Sequence, residues 1–217
     1  MTRLSKRLRA ALEHVKGYSL LVDIGTDHAK LPLAAVGRGY VTRAIAVDNK
    51  PKPLESARAN IRDAKMEAAI ELRLGDGFPK TDAFAVAAIL GLGGLTIRDI
   101  LEKGELANIR RLVISPNSDA GAIRTWLMAN DWQIVAEEFL EDAGKYYQII
   151  VSQPGTMRLT EAECEFGPLI IKEQSQVFQT AIHKQIAILE KAAKNVNSPT
   201  ERDALHDRIN LLKGLIA

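Results

Sequence analysis

Five strand-like runs that alternate with helix-like ones constrain this chain more than any other feature. They span residues 20–24, 41–47, 71–74, 84–90 and 111–114. Such alternation predicts an α/β architecture, a parallel sheet with helices on both faces, because each parallel crossover returns the chain through a helix. Two more runs, 133–139 and 146–151, are joined by Asp142-Ala143-Gly144-Lys145 with no helix between them. They predict a hairpin with an antiparallel strand at one edge, which makes seven strands, mostly parallel.

The first run, Leu20-Leu21-Val22-Asp23-Ile24, passes straight into Gly25-Thr26-Asp27-His28. It reads as a buried strand that stops and turns. Gly25 has no Cβ, so the backbone there can approach a ligand closely. Asp23 is an acid in an otherwise buried strand, which is costly unless the group is paired or functional. In such sheets ligands bind beyond the carboxyl ends of the strands. The acids and glycines of this chain fall there: Asp23 and Gly25, Asp48, Asp76, Gly91 and Gly93, and Asn117.

Charge and composition narrow the partners. The net charge is only +2, but Arg3, Lys6, Arg7, Arg9 and Lys16 crowd the first helix-like segment, 5–16, and the residues just before it, against Glu13 alone. That face is either simply solvated or turned toward phosphates. The single cysteine, Cys164, excludes an intrachain disulfide and fits a reducing compartment. No run approaches membrane-span length, and no apolar signal core follows the basic start. A soluble, cytoplasmic protein is expected.

The composition changes after Pro154-Gly155. Thr160 with Glu163 resembles a capping box. Ile171, Phe178, Ile182, Ile186, Leu189, Ala192 and Val196 then recur at helical spacing. Ser198-Pro199-Thr200-Glu201 carries the signals of a fresh helix start, and Leu205, Ile209, Leu212 and Leu215 form a second stripe. Residues 156–217 are therefore expected to form an antiparallel, coiled-coil-like helical hairpin beside a ligand-binding unit of residues 1–155. The hairpin either packs or grips a substrate.

The strand ends suggest a cofactor. Asp48 suits a ribose diol, since a carboxylate can accept from both hydroxyls. A dinucleotide also needs closely spaced glycines to hold its pyrophosphate. Here Gly25 is followed by no second glycine, and Asp27 would repel a diphosphate. S-adenosyl-L-methionine carries a sulfonium and an ammonium instead, and Asp23 and Asp27 suit it. Asp76 is placed to accept from the adenine amino group.

Val22-Asp23-Ile24-Gly25-Thr26-Asp27-His28-Ala29-Lys30-Leu31-Pro32 resembles motif I of the bacterial tRNA (adenine-22-N1)-methyltransferases. The likeness continues in Leu4-Ser5-Lys6-Arg7-Leu8, in Ala46-Val47-Asp48-Asn49 with Pro53-Leu54-Glu55-Ser56-Ala57, and in Arg73-Leu74-Gly75-Asp76-Gly77. It extends through Gly91-Leu92-Gly93-Gly94, Ser115-Pro116-Asn117 and the segment from Glu141 to Tyr147. Lys30, Leu92 and Ser115 depart from the family pattern. The resemblance implies a class I, Rossmann-like methyltransferase that uses S-adenosyl-L-methionine and acts on tRNA, with no metal and no obligate protein partner.

It also implies a site. Asp23, Gly25, Thr26, His28, Asp48, Asn49, Asp76, Gly77 and Gly91 would hold the cofactor. Asp27 and Asn117 would face the target base, and Arg7 and Tyr146 would hold the substrate. Plainer readings stand beside these. Asp27 would cap the next helix, His28 would cap or pack, Asn117 would end a strand, and one of Tyr146 and Tyr147 must point inward. A small-molecule methyltransferase and a non-catalytic RNA-binding module with a vestigial pocket are the alternative functions.

Overall fold

The computed structural model describes residues 4–216, so Arg3 of the basic segment lies outside the described residues. Helix α1 (Lys6–Glu13) opens at Ser5, whose hydroxyl accepts from the Leu8 N–H at 3.2 Å. Strand β1 (Leu20–Ile24) is buried along its whole length. It pairs in parallel with β2 (Arg43–Asp48) on one side and β4 (Ala85–Leu90) on the other. Burial on both faces explains why its run is nearly continuous in apolar residues.

Strands β3 (Ile70–Leu74), β5 (Ile109–Ser115), β6 (Trp132–Asp142) and β7 (Lys145–Pro154) complete a seven-stranded sheet in the order β3-β2-β1-β4-β5-β7-β6. Strand β7 runs antiparallel to both β5 and β6, as the helix-free hairpin predicts. The chain moves outward from β1 to β3 and then returns to place β4 beside β1. That reversal opens a crevice at the carboxyl ends of β1 and β4.

Helices cover both faces. Leu12 of α1, Leu31 and Ala35 of α2 (Lys30–Gly37), and Ala57 and Ile61 of α3 (Pro51–Asp63) pack on one. Ile97 and Leu101 of α4 (Gly94–Lys103), and Ile123 and Leu127 of α5 (Ala120–Ala129), pack on the other. Fully burying a side chain of this size contributes about 1.5–3 kcal/mol, so these layers hold the strand ends that carry the site.

The C-terminal part is more divided than its stripe suggests. Two short helices come first, α6 (Glu161–Phe166) with the Thr160–Glu163 capping box and α7 (Pro168–Glu173). Pro168 has no N–H to continue α6, so the path breaks there. Then α8 (Gln176–Asn195) and α9 (Pro199–Leu215) form the antiparallel hairpin, with Ser198 capping α9 through the Glu201 N–H. Phe178, Ile182, Ile209 and Leu212 form its seam, and Phe139 of β6 packs against it.

A buried ion pair ties this part to the sheet. Arg124 Nε of α5 meets Glu137 Oε1 of β6 at 2.7 Å, with neither side chain exposed. Arg124 also donates to the carbonyls of Cys164 and Glu165, and Glu137 accepts from the Leu169 N–H at 2.9 Å. Burial pulls the Arg124 guanidinium down from its ordinary value, and Glu137 opposes that shift. The carbonyl bonds of Arg124 reach α6 and the Leu169 bond of Glu137 reaches α7, so the pair fixes where the C-terminal part leaves the sheet.

Candidate active site

A cleft of about 730 Å³ lies at the carboxyl ends of β1 to β4, and Gly25, Asp48, Asn49, Asp76, Gly77 and Leu92 line it. Gly25 has φ +76°, a left-handed conformation that favours glycine. Its N–H and that of Thr26 both bond the Val47 carbonyl, at 2.9 and 3.0 Å, so the turn folds onto the end of β2. Asp48 is then held beside it. Its Oδ1 accepts from the Lys50 N–H at 3.0 Å, and Oδ2 lies 3.5 Å from the Asp27 N–H. A carboxylate has about four lone-pair sites, so capacity remains for a ligand in the cleft.

Asp23 and Thr26 lie under this turn and are not on the cleft wall. Both are buried, and the Thr26 hydroxyl donates to Asp23 Oδ2 at 2.6 Å. Burial pushes the Asp23 carboxyl up to about 7, against the pull of the Thr26 bond, and the like charge of Asp48 adds to the rise. Asp23 therefore shapes the turn from below.

Asp27 does not cap α2. The helix opens at Ala29, which is left-handed and supplies no side-chain bond. Asp27 is itself left-handed at φ 48°, which turns its carboxylate outward, two-thirds exposed and 3.5 Å from the His28 ring. His28 turns away from the cleft and lines a separate groove with Arg9, Lys30 and Arg38, while its carbonyl accepts from Asn60 Nδ2 at 3.0 Å.

A second cluster adjoins the cleft. Arg7 Nη1 donates to Asn117 Oδ1 at 3.1 Å, and Asn117 Nδ2 donates to the Gly91 carbonyl. Arg7, Asn117 and Gly91, far apart in the chain, thus meet where α1 crosses the ends of β4 and β5. Tyr146 is placed elsewhere. It stacks on Phe139 and bonds Lys184 of α8 at 2.9 Å, whereas Tyr147 faces Arg7. Adjacent strand residues point to opposite faces, so only one of the two can join this cluster. Thr96 and Asp99 of α4 also line the cleft, and their only sequence signal is a place in the helix that follows Gly91-Leu92-Gly93-Gly94.

Comparison with known proteins agrees with this arrangement. Residues 21–214 match the family described as tRNA (adenine(22)-N(1))-methyltransferase. The chain belongs to that family. A Bacillus subtilis member, named tRNA (adenine(22)-N(1))-methyltransferase, is 32% identical over 235 residues, covering 99% of this chain and 97% of that one. The solved structure of Mycoplasma capricolum TrmK in complex with S-adenosyl-homocysteine superposes with a TM-score of 0.89 at 26% identity, covering 99% of this chain and 98% of that one. Streptococcus pneumoniae Sp1610 in complex with S-adenosyl-L-methionine superposes with a TM-score of 0.91 at 38% identity, covering 99% of this chain and 100% of that one. In this methyltransferase family member the class I sheet and the C-terminal hairpin are both present.

Proposed function

We infer that this chain transfers the methyl group of S-adenosyl-L-methionine to N1 of adenine 22 in tRNA. One observation carries the reading: in a member of this family, Gly25, Asp48, Asn49, Asp76 and Gly77 line a single cleft at the sheet's switch point. The residues suit the cofactor. Asp48, Asp76 and Asp99 stand on the wall as carboxylates that can face a sulfonium or an ammonium group, beside Lys50, Arg73 and Lys103. Asp48 would accept from the ribose hydroxyls, Asp76 from the adenine amine, and Gly25 leaves the backbone bare.

When bound, the cofactor supplies an electrophilic methyl group. N1 of neutral adenine already carries a lone pair, so the protein needs no strong base. Its residues align the nucleophile and exclude water. The product base is cationic, and Asp27 and Asn117 are the groups assigned to its exocyclic amine, where they would stabilise the developing charge. N1 lies on the pairing edge, so the base must leave any pair to react.

Residues 1–155 act as the catalytic unit. The basic face of α1 and the coiled-coil-like hairpin of α8 and α9 grip the tRNA backbone, and Lys184 of α8 donates to the Tyr146 hydroxyl of β7. The work is cytoplasmic and needs no obligate protein partner. The test is incubation with labelled S-adenosyl-L-methionine and unmodified tRNA, followed by digestion to nucleosides. Label in 1-methyladenosine from position 22 is expected. Label in another base, or cofactor binding without transfer, sinks the assignment.

A further inference from the structure

The Arg7 guanidinium sits on an aromatic face next to the cofactor cleft. Its carbon lies 4.7 Å from the centroid of the Tyr147 ring. It also lies against Gly91, where an added Cβ would come within 3.2 Å of Nη2. Its hydrogen-bond partner is an amide, Asn117 Oδ1 at 3.1 Å, and not a carboxylate. The Arg7 N–H donates to Asp142 Oδ2 at 3.1 Å, which pins the start of α1 to the tip of the β6–β7 hairpin. One residue beyond Gly91, the Leu92 side chain lies 3.5 Å from where a Cβ on Gly25 would stand, so this cluster shares a wall with the cleft.

A guanidinium and a purine are both flat, and both stack on aromatic rings. We propose that the Tyr147 ring is the stacking platform for the target adenine, and that Arg7 covers it until a tRNA phosphate draws the guanidinium away. The proposal rests on the tRNA-adenine reading above and adds the residue that receives the base. The exchange is favourable for Arg7, because an anionic phosphate, which a guanidinium can grip with two parallel bonds, replaces a single bond to a neutral amide. It also releases Asn117 Oδ1, which can then accept from the exocyclic amine of the seated base. Without RNA the platform stays covered, so the site discriminates against free nucleosides.

Two tRNAs test this, one with adenosine at position 22 and one abasic there. Their affinities are measured with saturating S-adenosyl-homocysteine for the wild type, Tyr147→Leu and Tyr147→Phe. Base stacking on an aromatic ring contributes on the order of tenfold to affinity. The intact-to-abasic affinity ratio should therefore fall about tenfold in Tyr147→Leu and recover in Tyr147→Phe. An unchanged ratio in Tyr147→Leu overturns the platform. Free adenosine tests the cover: Arg7→Ala should bind adenosine more tightly and tRNA less tightly than the wild type. Weakening of both overturns the cover. Arg7→Lys, which keeps the charge but loses the flat group, repeats the test if Arg7→Ala does not fold. Methylation of the intact tRNA by the wild type is scored in parallel. Its absence sinks the underlying function, whereas methylation with an unchanged Tyr147→Leu ratio sinks the platform alone.

Discussion

The Thr26 hydroxyl donates a 2.6 Å hydrogen bond to Asp23 Oδ2 beneath the turn that presents Gly25 to the cleft. Burial holds the Asp23 carboxyl up near 7, while an unfolded aspartate titrates near 3.9. Between those values the folded state binds a proton that the unfolded state has released. Stability therefore falls as pH rises through that window and levels off above it. Asp23→Asn stays neutral throughout, so its advantage over the wild type should widen by a few kcal/mol up to about pH 7 and then stay flat. Thermal melts from pH 5 to pH 8 measure it, and a gap that does not vary with pH contradicts the assignment.

Some of this site was legible in the sequence because it depends on strand ends. Gly25, Asp48 and Asp76 stand where runs stop, and a doubly wound sheet must bring such ends together. Other parts depend on phase and distance. Alternation along β7 puts Tyr147 on the same face as Ile149 and Val151, but the strand itself does not say that α1 is the element covering that face. His28 left the cleft because Asp27 and Ala29 are both left-handed; aspartate visits that region more readily than most residues, but alanine gives no sign of it. Arg124 and Glu137 gave no local sign of meeting, since a charge in a helix and one in a strand each read as surface.

Asp48 is the group on which cofactor binding should depend most. It bonds the Lys50 N–H and retains lone pairs on the cleft wall. Hydrogen bonds to a charged group contribute about 1.5–3 kcal/mol each. Asp48→Ala should weaken S-adenosyl-L-methionine binding by roughly tenfold to a hundredfold and leave tRNA affinity nearly intact. Calorimetry for the cofactor and filter binding for the tRNA separate the two. Equal loss of both would mean that one surface serves both ligands.

Gly91 has φ +82° and touches the Arg7 guanidinium. Gly91→Ala places a Cβ in the left-handed region, at a cost of about 1–2 kcal/mol. The contact with Arg7 is with the far end of a flexible side chain, which can move aside, so the backbone sets the penalty. The same loss of stability should appear when Gly91→Ala is made in an Arg7→Ala background. A penalty that vanishes there would assign the cost to the side-chain contact.

Arg124→Met should be the most damaging single change away from the cleft. It leaves the Glu137 carboxylate buried with only the Leu169 N–H as a bonded partner, and it frees the carbonyls of Cys164 and Glu165. Breaking a buried pair on one side costs about 3–5 kcal/mol. Because the lost carbonyl bonds join α5 to α6, the first segment to loosen should be residues 156–175. Limited proteolysis should cut there before the sheet unfolds, and denaturant melts should show the stability loss. Replacing both partners with apolar residues, Arg124→Met with Glu137→Leu, removes the uncompensated charge and should recover most of the loss. A double variant as unstable as Arg124→Met alone would mean that the pair's bonds to α6 and α7, and not its buried charge, hold the junction together.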